Sequence, residues 1–255
     1  NQDDVSAYHL FYADGVAAPG TDLTFFDWPL PPERRGTNSV ARTGLRVASE
    51  SSLTWWAARF RELKVRHGDI IQHDGRGTLD FEDFEGQRFI LVVDRARREP
   101  AHPWAKSPVP AEHQVLGLGP IILSVPALGP TDAVLTNVLQ MRRVRDYSIT
   151  GGTTVHVYEM GEGGAAAELH VVVEPNMPRA RQGAGSVHHV AFRTTVKDYG
   201  AWAERLEAAR SGKPHPNFVR GGLKDGFVKM SAYGPAVTDA AKKQADGVKA
   251  QMMAG

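Results

Sequence analysis

The chain has 255 residues, of which 42% are hydrophobic, with a formal net charge of +1 and no cysteine. This charge gives no electrostatic reason to expect nucleic acid or a membrane surface as a partner. Without cysteine there can be no disulfide, thiolate metal site or cysteine nucleophile. Any metal must be held by His, Asp or Glu, which suit Fe(II), Mn(II) or Zn(II). No apolar run is long enough for a membrane span and no signal-peptide pattern is visible, so we expect a cytoplasmic protein.

The predicted elements repeat along the chain. It opens with a predicted hairpin, 8–12 with 22–26, whose turn contains Asp14-Gly15. Three later segments have the pattern of a strand that enters a helix, and they are 42–48 with 52–63, 118–125 with 130–141, and 187–194 with 197–209. Predicted hairpins follow the first two, and they are 78–84 with 87–94 and 153–160 with 167–174. The Ala- and Lys-rich stretch 236–254 has high helix propensity.

The repeating unit is therefore a strand, a helix and two or three strands, with a period of roughly 70 residues. Two whole units lie between half-units at each end, which predicts an α+β fold of repeated βαβββ modules with incomplete first and last modules. Proline-rich stretches separate the units. They suggest the following division: a module pair at 1–100 with its first module truncated, a linker at 101–117, a second module pair at 118–210 with its last module truncated, and an atypical tail at 211–255.

Five stretches carry a resemblance to a known family, and they are Gln2–Gly15, Pro19–Pro29, Leu79–Asp83, Ser107–His113 and Arg181–Arg193. In this order they resemble parts of the hydroquinone- and catechol-type (extradiol) ring-cleaving dioxygenases of the vicinal-oxygen-chelate, or glyoxalase, superfamily, over residues 2–209. The resemblance implies the βαβββ module fold of that superfamily. It also implies a non-haem Fe(II) enzyme, with Mn(II) as the other candidate metal, that acts on a small aromatic substrate and dioxygen.

The resemblance further implies an iron site of two His and one carboxylate, a set that leaves coordination positions open for substrate and dioxygen. His188-His189 matches the first strand of the fourth module. Alternation along a strand would turn His188 toward the helix-covered core, with Val190 and Phe192, and His189 and Arg193 toward the cavity. We therefore expect His189 to be a metal ligand, His188 to be a catalytic acid or base beside the metal, and Arg193 to bind substrate.

The other two ligands have no match in the sequence. The resemblance places a His before the opening hairpin and a Glu after the last predicted helix, where 211–218 stands instead. We therefore expect the isolated chain to be inactive, or to take ligands from another chain. The incomplete modules would also expose sheet edges, which favours a homo-oligomer.

Several alternatives remain open from the sequence. Glu168 and His170 lie two apart on a predicted strand and share a face, as either a metal-binding pair or a solvated cross-strand pair. Glu159 and Glu174 are candidates for a substitute carboxylate, whereas His9 and His156 have the pattern of packed or surface residues. Residues from about 213 resemble a basic-membrane-protein-type periplasmic solute-binding protein. Two other functions therefore remain, a non-catalytic small-molecule binding module of the same fold and, from the tail alone, a fragment of a solute-binding protein.

Overall fold

The computed structural model describes residues 6–96, 99–212 and 238–254. The chain divides into two compact units, residues 1–191 and 192–255. The strands of the first unit are β1 His9–Tyr12, β2 Leu23–Phe26, β3 Ser39–Val47, β4 Arg66–His73, β5 Arg76–Glu82, β6 Arg88–Val93, β7 Gly117–Val125, β8 Arg142–Ser148, β9 Thr154–Glu159 and β10 Glu168–Val173. Its helices are α1 Glu50–Leu63 and α2 Leu128–Ala133, the latter continued by a π-helical turn Val134–Val138, with a 3-10 turn at Ala111–His113. The second unit contains α3 Tyr199–Ser211 and α4 Asp239–Ala254.

Eight strands form one curled sheet in the order β4-β5-β6-β3-β7-β10-β9-β8, while β1 and β2 form a separate hairpin. Within each module the first and last strands run parallel, β3 beside β6 and β7 beside β10. The two modules meet through the antiparallel pair β3 and β7. This arrangement confirms the predicted α+β fold of βαβββ modules.

The β3–β7 pair joins residues from both sides of the segment 101–117, which was predicted to be a linker. The two whole modules therefore pair with each other in one sheet, whereas we had grouped each whole module with its neighbouring half-module. The division at 1–100 and 118–210 stays a prediction as a set of domain boundaries.

Both helices of the first unit cover the same face of the sheet. The Ser49 side chain accepts a hydrogen bond from the Ser52 amide at the start of α1, and Lys64 ends the helix in the left-handed conformation with φ 56°. The helix-side residues make two clusters, Val47, Leu53, Ala57, Phe60, Leu79, Leu91 and Val93 in one, and Val125, Leu135, Met141, Tyr158, Leu169 and Val171 in the other. Because side chains alternate along a strand, the neighbours of these residues point to the opposite, concave face. We call this face the cup.

The sequence did not predict β4 and β8, which are the two edge strands of the sheet. β8 is rich in charged residues, and β4 is mostly polar. Both are irregular in register, between His67 and Ile70 in β4 and between Arg143 and Arg145 in β8. Charged, bulged edges discourage pairing with other chains. The same features remove the apolar alternation by which a strand is recognised.

The strand predicted at 187–194 is wrong, because these residues are irregular and α3 begins only at Tyr199. In the part of the chain that the structure describes, no neighbouring strand pairs with this segment. The helix predicted at 130–141 ends earlier, at Val138. Helix α4 confirms the helical end of the tail, but 213–237 lie outside the described residues. Within the described ranges, none of the helices is both long and apolar enough to cross a membrane.

Candidate functional site

Two groups of side chains in the first unit could carry chemistry. The first, the cup cluster, lies on the concave face of the sheet and consists of Asp74, Arg76, Arg145, Tyr147, Glu168 and His170. The second, the histidine face, lies at the end of the opening hairpin and consists of His9, Phe26, Trp28, His188 and His189.

The curl of the sheet assembles the cup cluster. Asp74 and Gly75 form a two-residue turn between β4 and β5, and both have positive φ, 52° and 70°, as a type I′ hairpin requires. This turn belongs to one edge of the sheet, whereas Arg145 lies on β8 at the other edge. Nevertheless the Arg145 Nε donates to Asp74 Oδ1 at 2.9 Å. The two edges therefore approach each other across the cup, and the sheet forms a half-barrel.

Two arginines neutralise the carboxylates of the cup cluster. Arg76 Nη2 donates to Asp74 at 2.6 Å and to Glu168 at 2.7 Å. Arg145 Nη2 donates to the other oxygen of Glu168 at 2.8 Å, and Arg145 Nη1 lies 3.4 Å from Glu159. Burial raises the pKa of Glu168, but hydrogen bonds from His170 and the two arginines outweigh it and lower that pKa to about 2. Glu168 is therefore ionised at neutral pH although its side chain is 3% exposed.

His170 connects this ion-pair network to Tyr147. Its Nε2 lies 3.0 Å from Glu168 Oε2, and its Nδ1 lies 3.0 Å from the Tyr147 hydroxyl. Since an ionised carboxylate can only accept, the hydrogen of a neutral imidazole belongs on Nε2, and Tyr147 donates to Nδ1. Burial raises the pKa of Tyr147 to about 12, so its hydroxyl keeps its proton.

A cleft opens beside the cup cluster. One wall is apolar, and the rest is lined by polar side chains that include His73, Thr78 and members of the cluster. Its cavity volume is about 20 Å³, which is room for about one water molecule. The apolar wall consists of Ile90, Val92, Pro120 and Ile122.

Asp74, Glu168 and His170 could hold a metal ion, because each offers one ligand atom and these atoms lie within 4.8 Å of one another. As they stand, however, they do not fit the implied iron centre. They supply one His and two carboxylates instead of two His and one carboxylate. Both carboxylates already accept hydrogen bonds from guanidinium groups.

The histidine face depends on two irregular segments that pair side by side, 31–37 and 178–186. Arg34 and Arg181 exchange backbone hydrogen bonds of 3.0 and 2.9 Å, and the Ala184 amide donates to the Pro31 carbonyl at 2.9 Å. A Cβ at Gly183 would lie 2.1 Å from the Pro31 oxygen, so this close approach requires glycine. The pairing carries the chain to 187–189 beside the end of β2.

Aromatic rings surround the histidines there. Phe26 stacks on Trp28 with ring centroids 4.2 Å apart, and His9 stacks on Phe26 at 4.0 Å. His188 meets Trp28 edge-on at 5.3 Å, and His189 lies 6.3 Å from Phe26. The Nδ1 atoms of His188 and His189 are 2.9 Å apart, and both residues are exposed.

The prediction that His188 points into the core and His189 into a cavity is therefore wrong. It assumed a strand, whereas the irregular backbone lets the two neighbouring rings turn toward each other. The roles of His189 as a metal ligand, of His188 as an acid or base and of Arg193 in substrate binding stay predictions. Arg193 is exposed and belongs to the second compact unit.

The histidine face also lacks a complete metal site within the described ranges. There, Asp74, Glu168 and His170 are the one set of three or more donor residues that could hold an ion. The described residues thus add no carboxylate to His188 and His189, and they do not by themselves fit a site of two His and one carboxylate.

The other candidates have structural partners. Glu168 and His170 do share one face, as predicted, but they are buried and not solvated. Glu174 accepts a hydrogen bond from the Ser124 hydroxyl at 2.5 Å. His156 lies 3.0 Å from Asp146 and 2.8 Å from Arg143. His9 is packed against aromatic rings, and Glu159 is paired with Arg145.

Of the cup cluster, the sequence analysis missed Asp74, Arg76, Arg145 and Tyr147. One signal was available, because Asp74-Gly75 is the preferred pair for a two-residue hairpin turn. That pair predicts a hairpin, with a strand on either side of the turn, and it places the Asp74 side chain at the end of the hairpin. No local signal pairs it with Arg145, which is 71 residues away along the chain.

Comparisons with known proteins agree with this fold. Residues 117–228 match the family described as "Glyoxalase/Bleomycin resistance protein/Dioxygenase superfamily". The chain is 46% identical over 207 residues to "Putative ring-cleaving dioxygenase MhqA" of Bacillus subtilis, which covers 81% of this chain and 66% of that protein. It is 27% identical over 195 residues to "Putative ring-cleaving dioxygenase MhqO" of the same organism, covering 76% of this chain and 59% of that protein.

A solved structure of a "putative dioxygenase" from B. subtilis superimposes with a TM-score of 0.69 at 25% identity, covering 82% of this chain and 64% of that one. The chain thus spans just under two thirds of the length of the curated relatives it matches. The fold is that of the glyoxalase, or vicinal-oxygen-chelate, superfamily. The comparisons support a dioxygenase-type resemblance and give no support to a solute-binding tail, since the superfamily match itself extends to residue 228.

Proposed function

We propose that this chain belongs to a ring-cleaving dioxygenase that acts on hydroquinone- or catechol-type aromatics with dioxygen. The observation that carries the proposal is the 46% identity to MhqA over 81% of the chain. We further propose non-haem Fe(II) as the metal, with Mn(II) as the other candidate, because the absence of cysteine leaves imidazole and carboxylate as ligands.

We place the chemistry at the histidine face. His189 is proposed as a metal ligand and His188 as the group that moves a proton to or from the substrate. Two exposed imidazoles with Nδ1 atoms 2.9 Å apart can share a hydrogen, which suits proton transfer. The aromatic stack of His9, Phe26 and Trp28 lies beside these histidines, and aromatic side chains are the usual neighbours of an aromatic ligand.

Arg193 stays the proposed substrate-binding residue, since its guanidinium is always charged. The described residues do not complete the metal site, so the remaining ligands must come from elsewhere, in this chain or in another copy.

The test is the iron content after anaerobic reconstitution with Fe(II), measured by elemental analysis. If another copy or the rest of this chain supplies the missing ligands, wild type should hold about one iron per chain, His189→Ala should hold none, and His67→Ala on the edge strand β4 should behave as wild type. Oxygen uptake with hydroquinones and catechols should follow the same order. Iron-free wild type would mean that nothing completes the site and that the isolated chain is inactive, whereas equal iron in wild type and His189→Ala would mean that His189 is not a ligand.

A further inference from the structure

We infer that Asp74, Glu168 and His170 form a latent divalent-cation site, in which the guanidinium groups of Arg76 and Arg145 take the place of the ion. The inference concerns the cup cluster and does not depend on the proposed function, which we place at the histidine face.

The spacing of the donors suits an ion. Ligands at 2.0–2.2 Å from a zinc-like ion lie roughly 3 to 4.4 Å from one another. The three donor atoms of the cluster lie within 4.8 Å of one another. Small rotations of side chains would therefore be enough to bring them onto one ion.

The two arginines connect the carboxylates in the way that an ion would. Arg76 contacts both Asp74 and Glu168, at 2.6 and 2.7 Å. Arg145 contacts the same two carboxylates, with Nε at 2.9 Å from Asp74 and Nη2 at 2.8 Å from Glu168. Together the guanidiniums supply two positive charges, as many as a divalent ion, against the two carboxylates.

The arginines also explain why the site is closed to metal. Their charges are permanent at any ordinary pH, so an added ion would stand in contact distance of two cations in a buried place. In addition, Nε2 of His170 faces Glu168 and carries its hydrogen there, so it offers no lone pair to a metal. Removing both guanidiniums would leave the carboxylates of Asp74 and Glu168 without a cationic partner, a situation that a divalent ion relieves.

The experiment measures Co(II) binding by the full chain, by titration of the Co(II) absorption bands with a competing chelator. All variants carry His188→Ala and His189→Ala, so that metal at the histidine face does not contribute. The test variant adds Arg76→Met and Arg145→Met. The matched control adds Arg142→Met and Arg143→Met, which also removes two charges from the first unit but leaves the cup cluster intact.

We expect the test variant to bind one Co(II) at least 100-fold more tightly than the arginine-intact protein, and the control to show no gain. Adding His170→Ala to the test variant should then weaken binding at least 10-fold. The inference is overturned if the arginine-intact protein already binds Co(II) tightly through His170, or if a folded test variant gains no affinity.

Loss of both arginines could unfold the protein in the absence of metal, and circular dichroism would detect this. In that event Co(II) should restore the folded signal and raise the Tm with concentration, because a ligand that binds only the folded state stabilises it. A test variant that Co(II) fails to refold contradicts the inference as clearly as a folded one that fails to bind.

Discussion

The cup cluster and the histidine face both contain histidine, but they differ in burial and in hydrogen bonding. In the cup, Glu168 and His170 are buried and accept or donate hydrogen bonds on every side. At the histidine face, His188 and His189 are exposed and lie against aromatic rings and each other. The first arrangement is electrostatically complete, whereas the second leaves ring nitrogens accessible to a ligand.

This difference shows that a perturbed pKa does not by itself locate a functional site. Strongly shifted groups are enriched at active sites, but structural ion-pair networks shift pKa values as well. The depressed pKa of Glu168 has its causes in His170 and two arginines that already satisfy it. The shifted pKa of Glu168 thus belongs to a stabilising network, whereas the chemistry is proposed for the histidine face, and the following predictions test that division.

The largest effect is expected for Glu168→Gln. This change leaves Arg76 and Arg145 with one charged partner fewer in a buried network, and breaking such a pair typically costs about 3–5 kcal/mol of unfolding free energy. Urea denaturation followed by circular dichroism measures the cost. The control is Glu207→Gln, which removes an exposed pair with Arg210 and should leave the midpoint unchanged. A loss below about 1 kcal/mol for Glu168→Gln would refute the structural role of the cluster.

The same residue should determine how stability responds to acid. The pKa of Glu168 is lowered from 4.5 to about 2 in the folded protein. Its contribution is therefore fully present above about pH 4.5 and is lost as pH falls toward 2, with a total of about 3 kcal/mol. Unfolding free energies measured between these pH values should fall less steeply in Glu168→Gln than in wild type. Parallel curves for the two proteins would show that Glu168 does not titrate as the contacts imply.

The cup cluster also shows where sequence reasoning succeeds and fails. The central strand β7 is apolar and β3 alternates polar with apolar residues, so both were predicted closely, at 118–125 and 42–48. The shared face of Glu168 and His170 followed from alternation. The edge strand β8 carries mostly charges and β4 is mostly polar, so neither shows apolar alternation. The contact between Asp74 and Arg145 depends on the curl of the whole sheet, which no local pattern encodes.

The histidine face was predicted in part for a similar reason. The motif around His188 and His189 is local and could be recognised. Their neighbours Phe26 and Trp28 come from the opening hairpin, and the pairing of 31–37 with 178–186 brings them together through irregular backbone. Isolated backbone bridges have no periodicity, so the sequence could not predict that the two rings face each other.

Gly183→Ala should disturb the histidine face with an intermediate effect on stability. The new Cβ would lie 2.1 Å from the Pro31 oxygen and within 3 Å of other backbone atoms. Because backbone cannot rotate away, we expect a loss of about 1–3 kcal/mol, typical of overpacking. Thermal unfolding measures it, and Gly129→Ala, where a Cβ meets nothing within 4 Å, is the control. Unchanged stability in Gly183→Ala would mean that the two segments are not held together as described.

The smallest effect on stability is expected for His188→Ala. A small loss of unfolding free energy here, beside a large loss in Glu168→Gln, would distinguish the histidine face from the cup cluster. His188 is exposed, and its contacts are edge-on ring contacts with Phe26 and Trp28 and one hydrogen bond to His189. Exposed side chains of this kind usually contribute within about 0.5 kcal/mol. Urea denaturation of His188→Ala beside Glu168→Gln therefore compares the regions directly. If His188→Ala costs as much as Glu168→Gln, the histidine face is as structural as the cup, and the exposure of its rings would no longer argue for chemistry there.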